Sequence, residues 1–349
     1  MPAKARWKFL PASTFPDYAH SWDGINAQGF NSPLLRSEFI RPLLKYFGNG
    51  EEILAILEQA NRPVAMTILT RTRSCAWQTF QPSQCPVGAW VSLPDAPITE
   101  ILRSLLSSAP GFTLSFGLSQ QDPDLLTRPH HHNAFRTLDY IQTAKITVKG
   151  DFERYWSERG KNLRHTTKRL GNRLEREGIV TRLEHLTHAE EVALALNDYT
   201  RLESTGWKAK AGTAVLEDNV QGRFYRELLE NFSERGEGHI YRYWYGDSIV
   251  AMDLCISGTG SLIILKTAYD ESHNTTSPAT LMHQEIFKRI FDEQAFTVIE
   301  FYGRVMDWHL RWTDEVRTMY HLNVFRWPLL ARLWDWKNKS VDDINQPRP

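Results

Sequence analysis

The sequence predicts an α/β protein made of two tandem copies of one mixed-sheet unit, joined by a long basic helix. The tripeptide Val-Ala-Met occurs at 64–66 and again at 250–252, and the predicted strands that begin at Phe112 and Val298 lie at the same offset. In each half, several predicted strands are followed by a helix and then by one more strand. A matched order of elements favours duplication over the chance recurrence of short apolar runs.

The predicted domain boundaries follow from this repeat. Of the 349 residues, 1–150 form the first copy, 151–178 the joining helix, 179–327 the second copy, and 328–349 a C-terminal helix and tail. A chain of this length, with 42% hydrophobic residues, can bury two cores.

The individual elements are read from apolar residues that recur at helical or strand spacing. The first copy is predicted to have helices at 32–47 and 98–108 and strands at 53–58, 64–72, 87–93 and 112–119. The second is predicted to have a hairpin of strands 240–245 and 249–257, then a strand at 261–269, a helix that begins at Ser277-Pro278, and a strand at 298–302. After Arg326, apolar residues at 329, 330, 333 and 334 predict one more helix, packed on the body of the protein.

The joining helix carries a basic stripe. Lys161, Arg164, Lys168 and Arg169 lie near one face because of their spacing. Such a stripe is more often a solvated face or a strip of interdomain ion pairs than a binding site.

Composition excludes several classes of protein. The 41 basic and 41 acidic residues cancel, so no overall field attracts nucleic acid or acidic lipid, and any contact with a polyanion must be local. Cys75, Cys85 and Cys255 form no CxxC pair, which favours a reducing cytoplasm over a disulfide framework or a structural zinc site. The adjacent histidines at 130–132 cannot all face one ion, so no metal site is predicted. No apolar run approaches the ~18 residues of a membrane span, so a cytoplasmic protein is expected.

The stretch from Ser261 to Trp312 contains the predicted cofactor site. Ser277 is a plausible N-cap, and Pro278 suits the first helical position, where no amide is needed. A strand, a polar loop and a free helix N-terminus make an anion site that suits the pyrophosphate of a cofactor. The first turn, from Ala279 through Thr280 to Leu281, would then contact the cofactor.

The same stretch resembles a known family. The stretch begins with Lys-x-x-Tyr-Asp-Glu from Lys266 and continues through a polar loop, Ser-Pro-x-x-Leu, a helix, a strand and a Trp-containing segment. This order resembles that in the catalytic domain of the CelD/BcsL-like acyltransferases of the GNAT superfamily, which are relatives of the Fem-type peptidyltransferases. The segment 203–208 and the basic stretch at 161–170 fit the same family. Ala279 replaces the usual Gly, and Trp308-His309 replaces the common Tyr-Lys.

The resemblance implies two GNAT-like domains and an acyl-CoA-dependent N-acyltransferase. Its co-substrate would be acetyl-CoA or another acyl-CoA, and its acceptor a small-molecule or glycan amine on a polysaccharide or cell-envelope precursor. By the same resemblance, acceptor contacts fall on Glu203, Trp207, Lys208, Asp270, His309 and Trp312. Turn formation is the alternative role for Asp270, and packing is the alternative for Trp207.

The transfer also needs a base, since an alkyl amine with a pKa of about 10 is mostly protonated at neutral pH. Glu300 and Asp253 are carboxylates inside apolar strands and are the predicted candidates, with structural ion pairing as an equal alternative. Tyr302, two residues after Glu300, is the candidate donor of a proton to the CoA thiolate that leaves in the transfer. Packing in the core is the alternative role for Tyr302. Lys266 could pair with Glu300 or Asp253, or bind a phosphate.

Two other functions fit the same sequence. A Fem-like transferase would take its donor from charged tRNA through the basic helix, but the zero net charge weighs against nucleic acid as a partner. A non-catalytic binding module could keep the fold without turnover, because fold alone does not determine function.

Overall fold

The computed structural model describes residues 5–204, 215 and 219–345, with side chains to residue 337 at the C-terminal end. In these residues the α-helices are Phe15–Gln28 (α1), Ser37–Phe47 (α2), Ile98–Ser108 (α3), Phe152–Ser157 (α4), Lys161–Arg176 (α5), Ala189–Ser204 (α6), Val220–Ser233 (α7), Pro278–Glu293 (α8) and Pro328–Asn345 (α9).

The β-strands of the described residues come from both halves of the chain. They are Arg6–Pro11 (β1), Ile53–Gln59 (β2), Arg62–Arg73 (β3), Ala76–Thr79 (β4), Trp90–Ser92 (β5), Ser115–Gln121 (β6), Phe135–Thr147 (β7), Thr181–Leu186 (β8), Gly238–Tyr245 (β9), Ser248–Gly258 (β10), Ser261–Tyr269 (β11), Val298–Glu300 (β12) and Val316–Phe325 (β13).

The chain divides into two compact units. Unit 1 consists of residues 1–141 and 318–349, and unit 2 of residues 142–317. Strands β7 and β13 each cross a boundary between the units. The predicted boundaries at 150 and 327 therefore differ from those of the structure, because β13 pairs with β6 of unit 1 and takes the C-terminal helix with it.

The main strands of the two units pair in the same order and with the same directions. In unit 1, β1 to β4 pair antiparallel in order, β4 pairs parallel with β6, and β6 pairs antiparallel with β13. In unit 2, β8 to β11 pair antiparallel in order, β11 pairs parallel with β12, and β12 pairs antiparallel with β7. Among the described residues, α1 and α2 follow β1, α6 and α7 follow β8, and α3 and α8 precede the parallel partners β6 and β12. None of the described helices combines the length and apolarity that a membrane span requires. Unit 1 also contains β5, which pairs antiparallel with β3. The predicted mixed α/β fold of two similar units is confirmed.

The long helix predicted at 151–178 is broken in the structure. Helix α4 ends at Ser157, and α5 begins only at Lys161. Gly160 precedes α5 in an extended conformation, with φ −53° and ψ 138°, and glycine is a poor helix former. Both helices belong to unit 2, so no helix joins the two units in this part of the chain.

Helix α8 has the apolar face that its sequence predicts. Met282, Ile286, Phe287, Ile290 and Phe291 are all buried and belong to the core of unit 2. Their spacing of three and four residues puts them on one side of the helix, against the sheet. This packing fixes the side chains on the neighbouring face of α8, which opens on the candidate site described below.

A pair of histidines, His239 buried and His185 half-buried, lies at another place in unit 2. Nε2 of His185 and Nδ1 of His239 are 3.0 Å apart, and Nε2 of His239 lies 2.8 Å from the hydroxyl of Ser257. Burial lowers the pKa of each histidine to about 4. Both rings are therefore neutral at pH 7.

This pair predicts that unit 2 loses stability in mild acid. Because the folded pKa of about 4 lies below the ordinary value of 6.5, the unfolded chain binds more protons between these pH values. The contribution of these rings to the free energy of unfolding is complete above about pH 6.5, and it should fall by on the order of 3 kcal/mol for each histidine on acidification to about pH 4. Urea unfolding followed across this range measures the effect. An unfolding free energy that stays constant from pH 7 to pH 4 would contradict it.

Candidate functional site

Two parallel strands separate within unit 2. The ladder between β11 and β12 covers only the pairs Ser261–Val298, Leu262–Ile299 and Ile263–Glu300. Strand β11 then continues to Tyr269, whereas β12 ends at Glu300. A cavity of about 620 Å³ opens here, lined by residues 264–269 on one side and by Phe301, Gly303 and Arg304 on the other.

The start of helix α8 forms another wall of this cavity. The predicted cofactor residues Lys266, Ser277, Pro278, Ala279 and Thr280 all line it. Leu281, predicted with them, does not, because it is buried in the core of unit 2. Five of the six residues predicted to contact the cofactor therefore line one cavity, and their role in cofactor binding stays a prediction.

Ser277 does not cap the helix in the predicted way. It adopts the left-handed conformation, with φ +48° and ψ 59°, and its side chain makes no cap hydrogen bond. The amides of Thr280 and Leu281 instead donate to the carbonyl oxygen of Ser277, at 2.9 and 3.3 Å. Pro278 has no amide hydrogen, and the amides of Thr280 and Leu281 are used by these two bonds. The amide of Ala279 is therefore the one in the first turn that an anion could accept from.

The predicted acceptor residues are only partly gathered here. Glu203, His309 and Trp312 line the cavity. Asp270 does not: its carboxylate accepts from the amide of Ser272 (2.8 Å) at the start of a short 3-10 helix, which is the turn-forming alternative. Trp207 and Lys208 lie outside the described residues.

Glu203 is a buried carboxylate on the cavity wall. Its Oε1 accepts from the hydroxyl of Tyr199 (3.2 Å), and its Oε2 accepts from the amide of Val215 (2.6 Å). These bonds hold the end of α6 and fix the orientation of the carboxylate.

Glu300 and Tyr302 lie outside the cavity lining. Arg317 donates to Oε2 of Glu300 at 2.9 Å, and both side chains are almost fully buried, with 9% and 11% of their surface exposed. The guanidinium also lies 5.1 Å from the centre of the Tyr302 ring. Tyr302 has a φ of +44° and follows the end of β12, so the strand alternation that put it beside Glu300 does not apply. The observed ion-pair partner of Glu300 is thus Arg317, which the sequence had not suggested.

Asp253 forms a buried pair with a histidine that the sequence analysis did not select. Nε2 of His283 donates to Oδ2 of Asp253 at 2.9 Å, and the hydroxyl of Thr267 donates to Oδ1 at 2.5 Å. Both Asp253 and His283 are buried, and His283 lines the cavity. Because Nε2 carries the proton, Nδ1 keeps its lone pair, and no described group bonds to it. This is the arrangement of a base oriented by a carboxylate.

His283 lies on the cavity face of α8 because it follows Ala279 by four residues and Thr280 by three. Its ring also stacks with those of Phe287 and Trp308, at centroid distances of 5.5 and 5.7 Å. A lone histidine within an apolar helix is usually a core residue, and the sequence contains no local sign of its partner on β10.

A second histidine supplies a hydrogen-bond donor. Nδ1 of His309 accepts from the amide of Met306 at 3.0 Å, so the neutral ring carries its proton on Nε2. Burial lowers the pKa of His309 to about 4, which keeps the ring neutral at pH 7. His309 thus offers an N–H to a ligand in the cavity and no positive charge.

The cavity has cationic groups at its rim that the sequence analysis missed. Arg304 and Arg311 are exposed and line the cavity together with Lys266. Their charges could meet an anionic ligand near the helix start. Each lies in or beside an irregular segment, where no periodic pattern predicts the direction of the side chain.

Comparisons with known proteins agree with this geometry. Residues 161–310 match the family model described as an acetyltransferase (GNAT) domain, and this segment lies within unit 2. The match is to this broad domain family, and membership of the CelD/BcsL-like group stays a hypothesis. No curated protein matches the sequence.

Several solved structures share the fold of most of the chain. FemX has a TM-score of 0.57 at 9% identity, over 90% of this chain and 97% of FemX. A conserved protein of unknown function from Bacteroides thetaiotaomicron has a TM-score of 0.55 at 10% identity, over 92% and 100% of the two chains. The C-terminal domain of a putative lysylphosphatidylglycerol synthetase from Agrobacterium fabrum has a TM-score of 0.55 at 10% identity, over 88% of this chain and 92% of that domain's chain. Residues 161–310, less than half of the chain, are thus similar to a GNAT acetyltransferase domain. The solved structures, at identities of 9–10%, show a likeness of fold alone.

Proposed function

We propose that unit 2 is an acyl-CoA-dependent N-acyltransferase that moves an acyl group, with acetyl expected, to an amine of a polysaccharide or cell-envelope precursor. The observation that carries this proposal is the cavity between the separated strands β11 and β12, with His283 in its lining and Asp253 bonded to His283 behind it. The match of residues 161–310 to an acetyltransferase domain supports the acyl-transfer chemistry. The amine and its carrier follow from the family resemblance.

Donor binding would use two features of the cavity. The edge of β11 beyond Ile263 is not paired with β12, so an extended chain with amide groups, such as the pantetheine arm of CoA, can bond to it as an added strand does. Lys266, Arg304 and Arg311 together with the Ala279 amide offer charge and hydrogen bonds to phosphate groups.

The chemical step would be carried by His283. Nδ1 of His283 first takes a proton from the ammonium form of the acceptor, and the neutral amine nitrogen then attacks the thioester carbonyl and forms the C–N bond. Asp253 stabilises the imidazolium that results, as in a carboxylate–histidine pair. The C–S bond then breaks, the thiolate takes the proton from His283, and the nitrogen releases its second proton to solvent as the amide forms, so His283 ends neutral. The Nε2–H of His309 would donate to the acyl oxygen or to the acceptor.

We assign Glu300 and Tyr302 to structural roles in this scheme. Glu300 already has an ionic partner in Arg317, and Tyr302 contacts the same guanidinium. Neither side chain lines the cavity, so neither contacts an acyl group bound there. The base is then Asp253 acting through His283, and the thiolate receives its proton from His283.

Donor binding is tested by Thr280→Glu. A carboxylate at the start of α8 would repel the phosphates of acyl-CoA, and the dissociation constant should rise about tenfold or more. Calorimetry at fixed salt measures it. The matched control is Gln284→Glu, which adds the same charge on the same helix away from the cavity lining and should leave the affinity almost unchanged. If wild type and Thr280→Glu bind acyl-CoA with equal affinity, acyl-CoA does not bind at the start of this helix.

The tRNA-dependent alternative has its own signature. Lys161, Lys168 and Arg169 are exposed on α5, and a complex with charged tRNA would weaken steeply with salt because each neutralised phosphate releases a counterion. Gel shifts at low and moderate salt test for such a complex. A tight, salt-sensitive complex combined with no acyl-CoA binding would replace the proposed donor by aminoacyl-tRNA.

A further inference from the structure

A β-bulge in β11 decides which side chain of that strand faces helix α8. Cys255 of β10 pairs with Ile264 of β11, whereas Asp253 pairs with Thr267, so β11 contains one residue more than β10 between the two pairs. Strict alternation would put Ile264 and Thr267 on opposite faces of the sheet, and the extra residue puts them on the same face. Ile264 lies in the core that α8 shares, so the bulge turns Thr267 toward α8 as well.

The hydroxyl of Thr267 completes the hydrogen bonding of the Asp253 carboxylate. Thr267 donates to Oδ1 at 2.5 Å, and Nε2 of His283 donates to Oδ2 at 2.9 Å. Asp253 is fully buried, and these are the two hydrogen bonds that its carboxylate makes with described residues. Because each oxygen has one donor, loss of the Thr267 hydroxyl leaves a buried oxygen without a bond and penalises the charged form of the carboxylate.

The rings around His283 fix the plane of its imidazole but not the position of its proton. Phe287 and Trp308 stack with this ring, at interplanar angles of 2° and 18°. A flat aromatic face contacts the imidazole equally well whichever nitrogen carries the hydrogen. The hydrogen bond to Asp253 is therefore the contact that decides between the two tautomers.

We propose that Thr267 is a positioning residue of unit 2, whose hydroxyl keeps the Asp253 carboxylate charged and oriented and thereby keeps the proton of His283 on Nε2. Without the hydroxyl, Asp253 binds one proton from solvent and donates a hydrogen bond to Nε2, and the imidazole proton moves to Nδ1. Nδ1 then cannot take a proton from an amine. The effect on rate rests on the proposed acyl transfer, whereas the state of the ring does not.

The first test compares two variants of Thr267 in the full chain, because this residue also lines the cavity and its shape has to be separated from its hydroxyl. Thr267→Val keeps the shape and removes the hydroxyl, and Thr267→Ser keeps the hydroxyl. With acyl-CoA and an amine acceptor, Thr267→Val should lower kcat about 10- to 100-fold and leave KM for acyl-CoA within about twofold of wild type. Thr267→Ser should keep kcat within about threefold of wild type, since the bond to the carboxylate remains.

Thr143→Val is the matched control for this change of side chain. Thr143 is a fully buried residue of β7 in unit 2, its hydroxyl makes no hydrogen bond with a described residue, and it does not line the cavity. Thr143→Val should therefore leave kcat and KM unchanged. If the melting curve shows that Thr267→Val is unfolded, Thr267→Ala takes its place, because alanine removes the hydroxyl without bringing a methyl group against the carboxylate.

The second test reads the proton of His283 directly, in the full chain without substrate. When the histidine nitrogens are isotope-labelled, NMR distinguishes a ring N–H from an unprotonated ring nitrogen. The spectrum of His283→Gln identifies the signals of His283 among those of the 12 histidines. At neutral pH, wild type, Thr267→Ser and Thr143→Val should show an unprotonated Nδ1, and Thr267→Val a protonated one.

The outcomes distinguish this inference from the proposed function. A Thr267→Val protein with the kcat of wild type would overturn the inference, as would a Thr267→Ser protein as slow as Thr267→Val or a protonated Nδ1 in wild type. In the first of these cases the acyl transfer itself would stand. The expected change of the ring in Thr267→Val, found in a protein that binds no acyl-CoA, would support the role of Thr267 and contradict only the proposed function.

Discussion

His283→Gln is expected to lower the rate of acyl transfer by about 10²- to 10⁴-fold, the usual contribution of a positioned general base. Glutamine can still donate a hydrogen bond to Asp253, but it cannot take a proton from the amine. The dissociation constant of acyl-CoA should stay near the wild-type value, because the phosphate-binding groups are unchanged. Part of the lost rate should return at high pH, where an amine with a pKa of about 10 loses its proton unaided.

The measurement is CoA release with an amine acceptor taken from a screen of alkyl and sugar amines. His165→Gln replaces an exposed histidine on α5 and serves as the control for the substitution itself. Asp253→Asn should also lower turnover, and the double variant should lose little more than either single one, because the two residues act as a unit.

The outcomes separate two failures. A wild-type protein that binds no acyl-CoA would contradict the proposed function. A wild type that transfers acyl groups, with a His283→Gln variant that keeps its rate, would contradict only the role of His283.

Glu300→Gln is expected to lower the free energy of unfolding by about 3 kcal/mol. The substitution removes the charged carboxylate from a buried ion pair with Arg317, and breaking a buried pair by removing one partner is strongly destabilising. Urea unfolding at neutral pH measures the loss. The folded fraction should keep its acyl-CoA affinity and its rate per folded molecule.

The matched control is an exposed ion pair on the neighbouring helix. Arg289 and Glu293 of α8 are 2.8 Å apart, and both side chains are about half exposed. Glu293→Gln should therefore change the free energy of unfolding by no more than about 0.5 kcal/mol. A Glu300→Gln protein of wild-type stability that turns over at least tenfold more slowly would restore Glu300 as the catalytic carboxylate.

Much of the fold could be predicted from the sequence because its signals are local. The strand at 261–269 and the helix at 98–108 have the predicted bounds, and the recurring Val-Ala-Met lies at corresponding places in β3 and β10. The alternation and helical spacing of apolar residues reflect which face of each element is buried, so the duplicated order was readable. The start of α8 at Pro278 was also readable, because proline has no amide hydrogen to lose there.

Local patterns were less informative where the backbone leaves regular geometry. Ser277 takes a left-handed conformation, so its side chain does not cap α8 although its residue type favours capping. Gly160 interrupts the predicted joining helix, and β12 ends before Tyr302. In each place the backbone of a single residue departs from regular helix or strand geometry. The periodic spacing of the neighbouring apolar residues does not predict such a departure.

The sequence by itself determined the two-unit α/β order and the apolar face of α8. It also selected Lys266 and residues 277–280 as a group, and the structure places these residues in the lining of one cavity. Tertiary structure alone decided the partners of the buried charges. Glu300 pairs with Arg317 and Asp253 with His283 because β10, β12, β13 and α8 bring together residues that are distant along the chain. A carboxylate in an apolar strand signals only that it needs a partner, since burial without one is costly. Which side chain satisfies that need depends on the neighbours that the sheet and its packed helix provide in space.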